Sequence, residues 1–291
     1  MVLSQMTTGS TMPRRRLGRN LRDLRTRARM TTRAAARQLE WSEAKIWRIE
    51  TGQTSLRSLD VEAMCKVYGA PADVVAPLAA LAKETKARGW WTAYTDVVAE
   101  GFDIFIGLEE AARQLAGYEA DLIPGLLQTE AYTRALLRAA RPAASATEIE
   151  RRVELRRTRQ LLLTRPGAPL RLDMVIPEAV LRHRVGGRQV AVEQLDHLRR
   201  ICDLPTVRLR VIPAGSDYHA GMETSRFAIL EFPADGTTAP EPPVVYVETF
   251  TGPVYLDKEA DFARYRVAFA DIASVAVDAR ELLDDAVTAL A

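Results

Sequence analysis

Cysteine and histidine are scarce in this 291-residue chain, which has two cysteines, Cys65 and Cys202, and three histidines, His183, His197 and His219. The histidines are scattered and neither cysteine has a metal-like neighbour spacing, so no zinc or other metal site is expected. Both cysteines sit in apolar-periodic segments and read as buried, reduced thiols of a cytoplasmic protein. Long hydrophobic runs are missing as well. No stretch approaches ~18 consecutive apolar residues, and no apolar run follows the charged residues of the N-terminus, which argues against membrane spanning and secretion. Catalytic signatures are absent too: there is no G-x-S-x-G, H-E-x-x-H, P-loop or dinucleotide fingerprint, so neither an enzyme nor a cofactor is expected.

What is present is a charge asymmetry. Residues 1–60 hold 13 Lys and Arg against 5 Asp and Glu, whereas the remainder holds 27 against 33. A basic front end on an acidic body points to a polyanion partner for the front end alone. The length permits two domains, each with its own core.

Residues 1–13 are rich in Ser, Thr and Met without periodicity and read as a disordered tail. From Leu17 to Ala28 apolar residues recur at helical spacing. Thr31 is suited to cap a second helix through Leu39, Glu40-Trp41 makes a turn, and Ser42 caps a third helix through about Glu50. Gly52 ends that helix as a left-handed cap requires. Two further helices follow, from about Ser58 to Tyr68 and over 72–88, the latter with Pro77 inside.

In the third helix, Ile46 and Ile49 share one face, directed at Leu24, Ala36 and Leu39. Glu43 and Trp47 fall together on the opposite face, flanked by Ala44, Lys45 and Arg48. One apolar side for a bundle and one polar side for a major groove is how a recognition helix is built. Arg48 and Lys45 suit phosphate or guanine, Glu43 a cytosine amine and Ala44 a thymine methyl. Trp47, unusual at an exposed helix position, is either a partly buried packing residue or a contact to a thymine methyl or sugar. Thr32 and the Ser42 end of the helix are placed for phosphates. Arg14, Arg15 and Arg16 read as a basic arm that, with Arg19 and Arg22, adds salt-sensitive attraction and reaches a minor groove.

The stretch "LGRNLRDLRTRARMTTRAAARQLEWSEAKIWRIETGQTSL" resembles the Xre-type, lambda-repressor-like helix-turn-helix domain, over roughly residues 14–75. The likeness rests on the Thr opening the second helix, Ala36, Leu39, Ser42 and the "RIETG" ending, in which Glu50 and Gly52 look structural. It departs from that pattern at Glu40, where a turn glycine is usual, and at Ala35, where leucine is usual.

Downstream the texture changes. "GLEEAARQLAGYEA" (107–120) reads as a helix, as do Glu130–Ala140 and about Thr147–Leu163. "LRLDMVI", "VRLRVIP", "RFAILEF" and "VVYVETF" read as strands. The helix "VAVEQLDHLRRICDL" lies between the first two, and one or two helices close the chain. Within "ERRVELRRTRQ" (150–160), acidic and basic residues at helical spacing read as a salt-bridged exposed helix. The loop "PGLLQT", Pro124, Gly125, Leu126, Leu127, Gln128 and Thr129, is favoured as a packed helix-loop-helix corner, with Thr129 as cap; the sharper alternative is a rim for an effector or partner. His219 reads as a solvated loop histidine.

Several of these stretches, with "LDMVIPEAVLRHRVGG" and "VVYVETFTG", are similar to the C-terminal domain of actinobacterial (Streptomyces-type) helix-turn-helix regulators. That resemblance covers roughly residues 88–285 and implies a small protein partner encoded nearby, but no catalytic residues. The expected architecture is thus α+β: a five-helix, lambda-repressor-like head (14–87) and a mixed α+β body (88–291). The expected function is that of a cytoplasmic, nucleoid-associated transcription regulator that binds double-stranded DNA as a homodimer. Its body would sense a small molecule or a protein partner. The rival is an antitoxin-like protein that sequesters its partner and binds DNA for autoregulation.

Overall fold

Helical periodicity near the N-terminus resolves into five helices, α1 (Thr11–Arg27), α2 (Thr32–Leu39), α3 (Glu43–Glu50), α4 (Ser58–Val67) and α5 (Ala72–Glu84). They share one core, in which Leu17, Leu21, Ile46, Ile49, Val61, Met64 and Cys65 are essentially inaccessible to solvent. The computed structural model describes residues 9–234 and 241–290. These form two compact units. One comprises the described residues through Ala93 together with Asp103–Ala111, and the other comprises Tyr94–Phe102 and the chain from Ala112 onward.

The tail expected over residues 1–13 lies outside the described residues up to position 8, and its last part is helical. α1 begins at Thr11, with the Arg14 N–H donating to the Ser10 carbonyl at 2.9 Å. Pro13 does not prevent this, because an N–H in the first helical turn has no intrahelical acceptor to lose. The boundary expected near residue 88 also shifts. Trp91 is buried against Gly9, Gly89 and Gly107, where a side chain would collide with its ring, so the tryptophan pair and most of α6 (Phe102–Ala111) belong to the helical unit.

The larger unit is built on a seven-stranded mixed sheet among the described residues, ordered β6-β5-β4-β1-β2-β3-β7. The strands are β1 (Gln114–Tyr118), β2 (Arg171–Pro177), β3 (Val207–Ile212), β4 (Phe227–Glu231), β5 (Val244–Thr249), β6 (Gly252–Leu256) and β7 (Val277–Asp278). β1, β2 and β3 are parallel, and every other pairing is antiparallel. Helices α7 (Glu130–Ala140) and α8 (Ala146–Gln160) connect β1 to β2. α9 (Glu178–Arg182) and α10 (Arg188–Ile201) connect β2 to β3. On one face, Tyr118, Val175, Phe227, Ile229, Val245 and Val247 form an apolar layer with Phe262 and Ile272 of α11 (Glu259–Ser274). The chain closes with α12 (Arg280–Leu290).

The helix expected over 107–120 is a correction. α6 stops at Ala111 and the following residues are the central strand, β1. Leu115, Ala116, Gly117 and Tyr118 are all buried, since β1 is paired on both edges and covered on both faces. Such a strand shows no alternation, which is why its pattern passed for a helix. Gly117 is required by packing, for a Cβ there would stand 2.4 Å from the Phe227 carbonyl oxygen.

Candidate nucleic-acid interface

Side-chain caps close the starts of both α2 and α3. The Thr31 hydroxyl accepts from the Ala34 N–H and the Ser42 hydroxyl from the Lys45 N–H, each at 3.1 Å. Between them the chain reverses through Glu40, which is left-handed (φ 55°, ψ 37°), while the Trp41 N–H donates to the Ala36 carbonyl at 2.9 Å. A non-glycine residue pays about 1 kcal/mol or more for that conformation, so the turn forms with its usual geometry in spite of Glu40.

Three features then lock α3 in place. Ile46 and Ile49 enter the core beside Leu24, Ala36 and partly buried Leu39. Buried Glu50 takes both arms of the Arg25 guanidinium, at 2.7 and 2.8 Å, and its carbonyl accepts from Arg22 at 2.9 Å. The bond to Glu50 raises the Arg25 pKa above its usual value. Finally, α1 crosses the end of α3 at Gly18, where a Cβ would lie 2.3 Å from the Ile49 carbonyl oxygen. A mid-helix glycine weakens α1 by about 1 kcal/mol; here it admits the backbone of the neighbouring helix. Gly52 combines a positive φ of 73° with close approach to the Arg15 backbone, whose Cα would lie 2.8 Å from a Cβ, and the Gln53 N–H closes the helix end on the Arg48 carbonyl at 2.8 Å.

The opposite side of α3 faces outward. Glu43, Ala44, Trp47 and Arg48 are exposed, Trp47 by 55%. Their commitments within the protein are slight: the Arg48 Nε donates to the Ala44 carbonyl at a long 3.4 Å, and Glu43 stands 4.0 Å from Arg33. Lys45 sits on the flank, half-buried, with its ammonium 3.3 Å from the Trp41 ring centroid, a cation–π contact. Ser42 is exposed and Thr32 half-buried at the adjoining helix starts. First-turn N–H groups have no intrahelical acceptor, so this end of α3 is chemically suited to an anion.

Arg14, Arg15 and Arg16 are not a free arm. All three lie within α1 and are half-buried. The Arg14 Nε donates to the Thr85 carbonyl at 2.9 Å, and burial lowers its pKa, with Asp103 partly opposing. The α1 helix starts earlier than the composition suggested and carries them with it. Conversely, sequence reasoning missed exposed Arg33 and Arg37 on α2, which share a helix face at i, i+4, with Arg33 4.0 Å from Glu43 beside the outward face.

In the larger unit, the stretch 124–129 is a packed corner and not an open rim. Pro124, Leu126, Leu127 and Gln128 are buried. The Gln128 side-chain amide donates to the Ile123 carbonyl at 2.6 Å, and its oxygen accepts from Thr133 and Arg156. Gln194 donates to the Leu127 carbonyl at 2.8 Å and accepts from the Thr129 N–H at 2.7 Å. Gln160 donates to the carbonyls of Gly125 and Gln128 at 3.1 and 2.7 Å, and Thr129 caps α7. The corner's polar groups are taken up by hydrogen bonds within the larger unit.

The expectation for His219 also fails: the ring is buried beside Tyr118, and its Nδ1 accepts from the Gly221 N–H at 3.1 Å. Nor is "ERRVELRRTRQ" a simple exposed ladder. Arg152 pairs with Glu148 at i, i+4, but Arg151 reaches Asp96, and Arg159 is buried over the Phe102 ring. Among the described residues, no cluster of His, Cys, Asp and Glu is arranged to hold a metal ion, and no helix is long and apolar enough to cross a membrane.

Two capped short helices, a tight turn and a second helix with one locked and one open face define a helix-turn-helix, and residues 16–78 match a helix-turn-helix domain. This places the protein in the class of DNA-binding regulators. Residues 102–284 match the family described as "Domain of unknown function (DUF5753)", and the chain belongs to that family. No curated protein and no solved structure matches the chain.

Proposed function

We propose that the protein is a sequence-specific transcription regulator that lays α3 in the DNA major groove, and that its larger unit senses a small ligand or a protein partner. The observation that carries the reading is the division of α3 into two sides. Ile46, Ile49 and Glu50 are buried, while Glu43, Ala44, Trp47 and Arg48 are exposed with almost no internal bonds. In this reading Arg48 addresses guanine or phosphate, Glu43 accepts from a cytosine amine, and Ala44 with Trp47 meets thymine methyl groups. Ser42, Thr32 and Lys45 contact phosphates, and the α1 arginines contribute a diffuse, salt-sensitive attraction from the helix itself. One such head reads only a few base pairs, so the protein acts as a homodimer on an inverted repeat. The likeness to lambda-repressor-like regulators supports the same docking geometry.

Selection of binding sites from randomised duplexes at stepwise increasing salt tests this reading. A reader of base edges enriches one motif with two-fold symmetry, and the motif persists as nonspecific binding fades. Enrichment that vanishes in parallel for all sequences would contradict it.

A further inference from the structure

The α8 arginines lead to a site outside the helical unit. A cavity of about 350 Å³ is formed wholly within the larger unit, between α8, the segment 97–102 and the β5–β6 hairpin. That volume lies at the lower end of the range typical of small-molecule sites. Three observations bear on what it accepts.

The first is charge. Arg152, Arg156 and Arg159 line the cavity from one stripe of α8, at the i, i+4, i+7 spacing that stacks side chains on a single helix face. Arg141 adds a fourth cation and is exposed, while Glu100 and Glu248 are the acidic residues of the lining. Glu248 is bound by Arg226 at 3.1 Å and Arg152 by Glu148 at 2.9 Å; the lining itself sets four arginines against two carboxylates, a positive excess. Guanidinium forks match the planar geometry of a carboxylate or the oxygens of a phosphate.

The second is the wall chemistry. Phe102, Leu155 and Tyr246 supply flat or apolar surface, and burial raises the Tyr246 pKa, which keeps its hydroxyl protonated. At the hairpin tip Phe250 is fully exposed although it borders the cavity, an apolar ring that an occupant's body would cover.

The third is position. Tyr246 and Glu248 lie toward the carboxyl end of β5, which the register places level with the carboxyl end of β1. After β1 the chain builds outward through β2 and β3, and then adds β4 on the other side of β1. The cavity therefore borders the carboxyl-end side of the parallel strands, the side on which open sheets bind ligands, at the β5–β6 hairpin and not at the β1–β4 reversal itself.

We propose that this cavity binds a small organic anion, with its carboxylate or phosphate head on the α8 arginines and an aromatic or apolar body against Phe102, Tyr246 and Phe250. The inference deepens the reading of this unit as the sensing part and rests on it only for the consequence at DNA, since binding is measured without DNA.

The test is calorimetric titration of the full chain with phenylacetate, phenyl phosphate and the neutral 2-phenylethanol. At least one anion binds saturably, and 2-phenylethanol binds at least about tenfold more weakly; which anion binds better identifies the head group. Arg141→Ala, at an exposed position, and Arg152→Gln each weaken the preferred anion by about tenfold while thermal unfolding stays as in the parent. Arg48→Ala, on the DNA-facing helix, binds the probes like the parent. No heat from either anion at about 10 mM, equal binding of the alcohol, or unaltered binding by both cavity variants would overturn the proposal. If the anion binds and DNA affinity does not respond, the site stands and the sensing reading fails.

Discussion

The outward face of α3 and the corner at residues 124–129 are both conspicuous in the sequence, yet their polar side chains are used in opposite ways. On α3, four exposed residues make one long hydrogen bond and one loose ion pair between them. At the corner, the amides of Gln128, Gln160 and Gln194 are spent on backbone groups of Ile123, Gly125, Leu127, Gln128 and Thr129. A buried polar group must find a partner, whereas an exposed one can wait for it. Distinctiveness of a motif therefore says little about binding until the partners of its side chains are known.

The contrast can be broken most forcefully on the locked side of α3. Glu50→Ala leaves the Arg25 guanidinium, only 14% exposed, without its carboxylate, and is expected to cost about 3–5 kcal/mol. Chemical denaturation measures it, and DNA affinity falls together with stability. At the corner, Gln194→Ala strands the Leu127 carbonyl and the Thr129 N–H and is expected to cost about 2–4 kcal/mol. A loss under about 0.5 kcal/mol would mean that the corner does not depend on its amides.

Glu119, just past β1 on the way into the corner, adds a pH dependence. Burial is the main cause that pushes its carboxyl up to about 7, with Glu248 and Asp121 adding to it and Arg226 opposing. A folded-state value above the unfolded one means full stability at low pH and progressive loss as pH rises from about 4.5 to about 7. Glu119→Gln removes that slope and is more stable than the parent at about pH 8 by on the order of 2 kcal/mol. Unfolding at pH 5 and pH 8 checks the sign, and identical slopes in the two proteins would refute it. The smallest effect belongs to the turn. Glu40→Gly relieves the left-handed strain and is expected to stabilise by about 1 kcal/mol without changing DNA preference; unaltered or lowered stability would show that the turn carries no such strain.

Much of the helical unit was legible because its signals are local: Thr31 and Ser42 before apolar periodicity, Gly52 after it, and Ile46 with Ile49 three apart. What escaped depends on distant chain. Gly18 is explained only by the Ile49 carbonyl, and the start of α1 packs at Gly9 and Thr11 against Trp91 and Gly107. β1 escaped because a strand buried on both faces lacks a period of two. The amides of Gln160 and Gln194 reach the corner across 32 to 67 positions of sequence, so nothing near "PGLLQT" announces them. Arg152, Arg156 and Arg159 of α8 were masked by glutamates at helical spacing, which satisfy a surface reading of the helix although these three line the cavity.

The most direct test of the account compares the parent with the double variant Glu43→Ala, Arg48→Ala, measuring unfolding midpoint and binding to the selected duplex together. The account predicts a stability change within about 0.5 kcal/mol, with operator affinity reduced by at least about tenfold and base preference relaxed at the positions these residues address. Parental affinity with unaltered preference in the double variant would contradict it.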